Sequence, residues 1–103
     1  MIRHVFIATI KEGISKEIIN QKMEEMRHLK EDVSVIEKII VEKNLGWIGS
    51  SNCITMIIDV SDRDAFDILM KSPAHLKISE HADEVFDTSS FVASQIMIEN
   101  LNV

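Results

Sequence analysis

Ile2-Arg3-His4-Val5-Phe6-Ile7-Ala8-Thr9-Ile10 alternates two sets of side chains, and apolar residues occur in both. Ile2, His4, Phe6, Ala8 and Ile10 form one face; Arg3, Val5, Ile7 and Thr9 form the other. A strand with one side in water keeps one face polar, whereas a strand covered on both sides does not. Residues 2–10 therefore predict a strand with a packed layer against each face. The chain has 103 residues, which fits one domain over 1–103. That length supports one core without a metal or disulfide staple.

Moving outward, Lys11-Glu12-Gly13 makes a turn and Ser15 is placed to cap a helix from Lys16 to about Glu31. Wound at about 100° per residue, Ile18, Ile19, Met23, Met26 and Leu29 gather on one side, and Asn20, Gln21, Glu24, Arg27 and His28 fall opposite. Residues 33–42 read as a second strand, with Val35, Ile39 and Val41 on one face and Ile36 and Ile40 on the other. The glycines and serines of residues 43–51 mark a loop. A third strand over about 52–60 puts Ile54, Met56, Ile58 and Val60 together. Ser61 and Asp64 suggest a capping box opening a helix that reaches Met70. Lys71-Ser72-Pro73 breaks it, and Pro73 suits the first turn of the next helix, expected to run through Phe86. Residues 88–98 close the pattern as a fourth strand. The order β-α-β-β-α-β is the ferredoxin-like split βαβ arrangement, an α+β fold.

Charge narrows the partners. Seventeen acidic against 11 basic residues give a net charge of −6. Without a basic patch there is no footprint for phosphate backbones or anionic lipid, so neither nucleic acid nor membrane is an expected partner. Cys53 is the one cysteine, which rules out an internal disulfide and a thiolate metal cluster; it reads as a small apolar strand residue. Met1 leads directly into the first strand with no signal-like run and no apolar stretch of about 18 residues, so a cytoplasmic protein is expected.

Three local signatures, in order, carry a family resemblance. They are Met1-Ile2-Arg3-His4-Val5-Phe6, then Lys11-Glu12-Gly13 before a capped helix, then Ser72-Pro73-Ala74-His75. Together they span nearly the whole chain, which resembles the stress-responsive A/B barrel (Dabb) family. The resemblance implies a four-stranded antiparallel sheet with helices on one face, paired through its other face as a homodimeric α/β barrel. That accounts for a first strand apolar on both sides. Family members include plant polyketide cyclases, stress-induced proteins and bacterial proteins of no known activity. In the cyclase-like branch a histidine at the Pro-Ala-His position lines a cavity, with a tyrosine one helical turn earlier. The histidine matches His75, and the first-strand histidine matches His4. The tyrosine position falls on Leu69, and the chain contains no tyrosine. A mechanism that needs that phenol is excluded.

His75 and His4 are thus the candidate catalytic residues. A desolvated imidazole stays neutral and can act as a general base near neutral pH. The competing reading makes each a satisfied core histidine. His28 and His81 read as surface residues. Residues expected to line a ligand cavity are Phe6, Ala8, Lys22, Met26, Met56, Ile58, Leu69 and Ile78. Lys22 is unexpected there, since it falls inside the apolar stripe of the first helix. Either its stem is buried and its ammonium reaches water, which is the favoured reading, or it points inward to hold a carboxylate or enolate. Trp47 either packs at a dimer edge, again favoured, or caps the cavity mouth. Two histidines without a third ligand make a poor zinc site, so no metal and no cofactor are expected.

Two functions compete: a cofactor-independent lyase, isomerase or cyclase-like enzyme, and a non-catalytic stress-related module that binds a small-molecule ligand. A haem-degrading role has only the fold behind it, which is weak evidence.

Overall fold

A computed structural model describes residues 1–99. In chain order the elements are β1 (Ile2–Ile10), α1 (Lys16–Arg27), α2 (Leu29–Asp32), β2 (Ile36–Lys43), β3 (Cys53–Val60), α3 (Arg63–Lys71), α4 (Pro73–Glu80), a 3-10 turn (Ala82–Glu84) and β4 (Phe86–Met97). The strands form one sheet in the order β2-β3-β1-β4, and each neighbouring pair is antiparallel. This is the ferredoxin-like α+β architecture expected from the sequence.

The core lies between one sheet face and the helices. Ala8, Ile10, Ile54, Met56, Ile58 and Val60 of the central strands pack there with Met23, Met26, Leu29, Ala65 and Leu69. Ile58, Val60 and Leu69 are completely buried, each worth about 1.5–3 kcal/mol over an exposed side chain. The helix starts follow local chemistry. Ser15 Oγ accepts from the Ile18 amide at 3.2 Å. Ser72 Oγ accepts from the His75 amide at 3.2 Å, with Pro73 in the first turn of α4. At α3 the cap is Asp62, not Ser61, because its carboxylate reaches the Ala65 amide at 2.9 Å.

Four expected boundaries shift, each for a reason outside local periodicity. The first helix is interrupted at His28, and the short α2 that follows keeps Leu29 and then Val33 in the core. β2 starts at Ile36 instead of residue 33 and carries a register shift between Ile36 and Lys38. The extra residue turns Ile36 onto the helix side, opposite Val60, with Ile39 and Val41 opposite Ile58 and Met56. α4 stops at Glu80, well short of Phe86. Strand pairing claims that backbone: the Lys11 amide donates to Val85 O at 2.9 Å, and Ile10 pairs with Phe86. β4 consequently begins at Phe86 rather than 88, and a second irregularity falls between Ile7 and Thr9, where Ser90 Oγ accepts from the Thr9 amide at 3.0 Å.

Among the described residues no helix covers the other sheet face. Val5, Ile7, Ile40 and Ile57 lie there half-buried, with Val92 and Ile96 exposed. Among the described residues no helix is long and apolar enough to cross a membrane.

Candidate functional site

His4 stands on β1 facing the helices, opposite Ile58 on one side and Gln95 on the other. It is 7% exposed. Phe66 of α3 meets its ring edge-on, with centroids 5.4 Å apart. His75 sits in the first turn of α4, half-buried, where the Ser72 cap fixes its backbone. Burial pushes both imidazoles below the ordinary histidine range, and a positive charge on His75 would push His4 lower still. The carbonyl of Met70 partly opposes the shift at His75. Both shifts favour the neutral ring at pH 7.

Their hydrogen bonds assign the protons. His75 Nδ1 lies 3.2 Å from Met70 O. A carbonyl can only accept, so Nδ1 carries the hydrogen and Nε2 keeps its lone pair. His4 Nδ1 lies 2.9 Å from the amide nitrogen of Gln95. That nitrogen can only donate, so His4 carries its hydrogen on Nε2. One ring offers a base and the other a donor. Gln95 and Phe66 were not anticipated from the sequence. Gln95 is placed opposite His4 only after the β4 irregularity, which no alternation count supplies.

The remaining residues expected at the cavity divide into three groups. Ala8, Met26, Met56, Ile58 and Leu69 are packed in the core. Phe6 is half-buried and stacks edge-on against Phe91 at 4.8 Å. Lys22 and Ile78 line a groove of about 950 Å³ between α1 and α4, together with Ile18, Gln21, Ala74 and Val85. Neither His4 nor His75 lines it. Lys22 is 5% exposed, with its stem buried and Nζ ending in the groove 3.4 Å from Glu25 Oε2. His28 and His81 are exposed and paired with Glu31 and Glu84. Trp47 is 84% exposed on its loop and caps nothing among the described residues. Among the described residues no three His, Cys, Asp or Glu side chains converge as a metal site would require.

The family model for the stress responsive A/B barrel domain matches residues 2–95. Among curated proteins none matches. Several solved structures share the fold. A dimeric protein of unknown function with a ferredoxin-like fold from Bacteroides fragilis is 19% identical, with a TM-score of 0.78 over 94% of this chain and 95% of that one. A dimeric ferredoxin-like protein of unknown function from Thermobifida fusca is 15% identical, with a TM-score of 0.80 over 94% and 90%. The hydroxynitrile lyase of Passiflora edulis is 15% identical, with a TM-score of 0.83 over 95% and 93%. At these identities the likeness is one of fold.

Proposed function

The chain belongs to the stress responsive A/B barrel family, and on that footing we propose a homodimeric α/β-barrel protein in which His4 and His75 move a proton next to a carbonyl group of a small molecule, without a cofactor. The reading keeps the cytoplasmic location expected from the sequence. Its main support is the complementary protonation of the pair, with a lone pair on His75 Nε2 and a hydrogen on His4 Nε2. His75 would take a C–H proton from the carbon beside the carbonyl and become an imidazolium. His4 would donate a hydrogen bond to the enolate oxygen that forms. The same proton, returned to a different atom, completes an isomerisation; expulsion of a leaving group from the next carbon, with the His75 proton passing to that group, completes an elimination. The hydroxynitrile lyase among the structural neighbours makes an aldehyde of the kind a hydroxynitrile yields, with a hydrogen beside its carbonyl, a sensible member of the substrate panel.

The test is deuterium uptake from D2O into small ketones, β-keto acids and a hydroxynitrile-derived aldehyde, followed by mass spectrometry. Wild type should exchange the position beside the carbonyl. His75→Asn should lose about 100-fold or more, the usual share of a general base, with the dimer intact. Equal exchange by wild type and His75→Asn would sink the base assignment.

A second reading, a binding module without turnover, has one observation in its favour: the groove between α1 and α4 contains neither histidine. Ligand affinity unchanged in His75→Asn, with no exchange on any panel member, would select it.

A further inference from the structure

Lys22 is a charged side chain buried to 5% exposure, yet its one partner among the described residues is Glu25, with Nζ and Oε2 3.4 Å apart. A charge-assisted hydrogen bond closes to about 2.7–2.9 Å, so this contact is loose. An ammonium has three donors, and burying one without close partners is costly. Glu25 itself is 60% exposed and gains full hydration by swinging outward. Two other acids along the groove, Glu24 and Glu84, have nearer engagements; Asp32 has no ion pair among the described residues. Arg27 holds Glu24 at 2.8 Å, and His81 lies 3.2 Å from Glu84.

Beside this cation the groove is apolar, through Ile18, Ala74, Ile78 and Val85. Its volume of about 950 Å³ suits a small organic molecule. We infer that the α1–α4 groove is a binding site for a monocarboxylate with an apolar body, whose carboxylate displaces Glu25 from Lys22. One buried cation matches one negative charge. The acidic rim and the net charge of −6 disfavour a ligand carrying more. Glu25 is a placeholder: it neutralises Lys22 in the empty groove and leaves for water when the ligand enters. This site does not depend on the proton-transfer reading, because His4 and His75 lie outside it.

Titration calorimetry with octanoate, and with octan-1-ol as the neutral analogue, tests the exchange on the whole chain. Wild type should bind octanoate more tightly than octanol. Lys22→Met should weaken octanoate about tenfold or more and leave octanol unchanged. Glu25→Gln should tighten octanoate several-fold, because the competing carboxylate is gone. A purely structural Lys22–Glu25 pair predicts no such opposite movement. No octanoate binding by wild type at millimolar concentration would overturn the inference. So would equal losses for both ligands in Lys22→Met, or an octanoate affinity that Glu25→Gln leaves unchanged or lowers.

Discussion

Arg3 and Asp59 hold each other through two hydrogen bonds, Nε to Oδ1 at 2.8 Å and the terminal guanidinium nitrogen to Oδ2 at 2.9 Å, across paired positions of β1 and β3. The pair stands on the sheet face without helices. The guanidinium holds the Asp59 carboxyl below the usual carboxylate range. A depressed carboxyl pKa stabilises the fold above the unfolded value near 4, and that contribution is lost as pH falls through the folded value. Asp59→Asn should therefore melt several degrees lower at pH 7 and lose part of the acid sensitivity seen in wild type. Thermal melts by circular dichroism between pH 7 and pH 3 check this; identical profiles would count against it.

His4 and His75 act at milder acidity. Both are held below the ordinary histidine value by burial, so the unfolded chain takes up protons first as pH falls. Stability from these rings is fully present above about 6.5 and is lost as pH falls through their lowered folded values. Melting temperature should drop between pH 7 and pH 5, and His4→Gln should flatten that slope. Any turnover should fail on the same acid limb, since an imidazolium has no lone pair to give.

Ser72 ties α3 to α4. Its hydroxyl donates to Leu69 O at 2.8 Å while its oxygen accepts from the His75 amide. Ser72→Ala should cost about 1 kcal/mol, the usual worth of a helix cap, and loosen the placement of His75. Chemical denaturation measures the first effect. A fall in deuterium exchange larger than the stability loss explains would measure the second.

Leu69 occupies the position where cyclase-like relatives are expected to place a tyrosine, and it is completely buried. Leu69→Tyr should not restore a phenol to a pocket. It should overpack the core and cost about 1–3 kcal/mol, read as a lower midpoint in urea. A stable Leu69→Tyr variant with new activity would show that the site has room the packing does not suggest.

Ile7 and Ile57 lie on adjacent strands, at the centre of the uncovered sheet face. If that face pairs with a second copy, Ile57→Lys buries an unpaired charge there and should drive the protein to monomer. Sedimentation at micromolar concentration distinguishes the two. A wild-type monomer would remove the dimer from the proposal.

Much of the fold was legible because the decisive signals are local. The two apolar faces of residues 2–10, the Ser15 cap and the Ser72-Pro73 break are properties of neighbouring residues. What could not be read depends on residues far apart. The register shift near Lys38 reverses Ile36, and the pairing of Ile10 with Phe86 ends α4 early. Neither leaves a trace in helical or strand period. The site shows the same divide. His4 and His75 stood out as residue types on apolar stripes. Their proton positions depend on Gln95 and on a backbone carbonyl at Met70, which no pattern marks. Lys22 was visible as a misfit, but its depth of burial came only with the packing.

The loop between β2 and β3 turns at Gly46 and Gly49, both at positive φ, and leaves Trp47 84% exposed. Trp47 is the only tryptophan, and the chain has no tyrosine. Intrinsic fluorescence excited near the indole band therefore comes from one loop position and carries almost no information about the core. Unfolding should barely move the emission, since the indole is already in water. Any blue shift on concentrating the protein reports something settling over that loop. The molecule thus contains a single-site optical reporter of its own surface encounters, available without labelling.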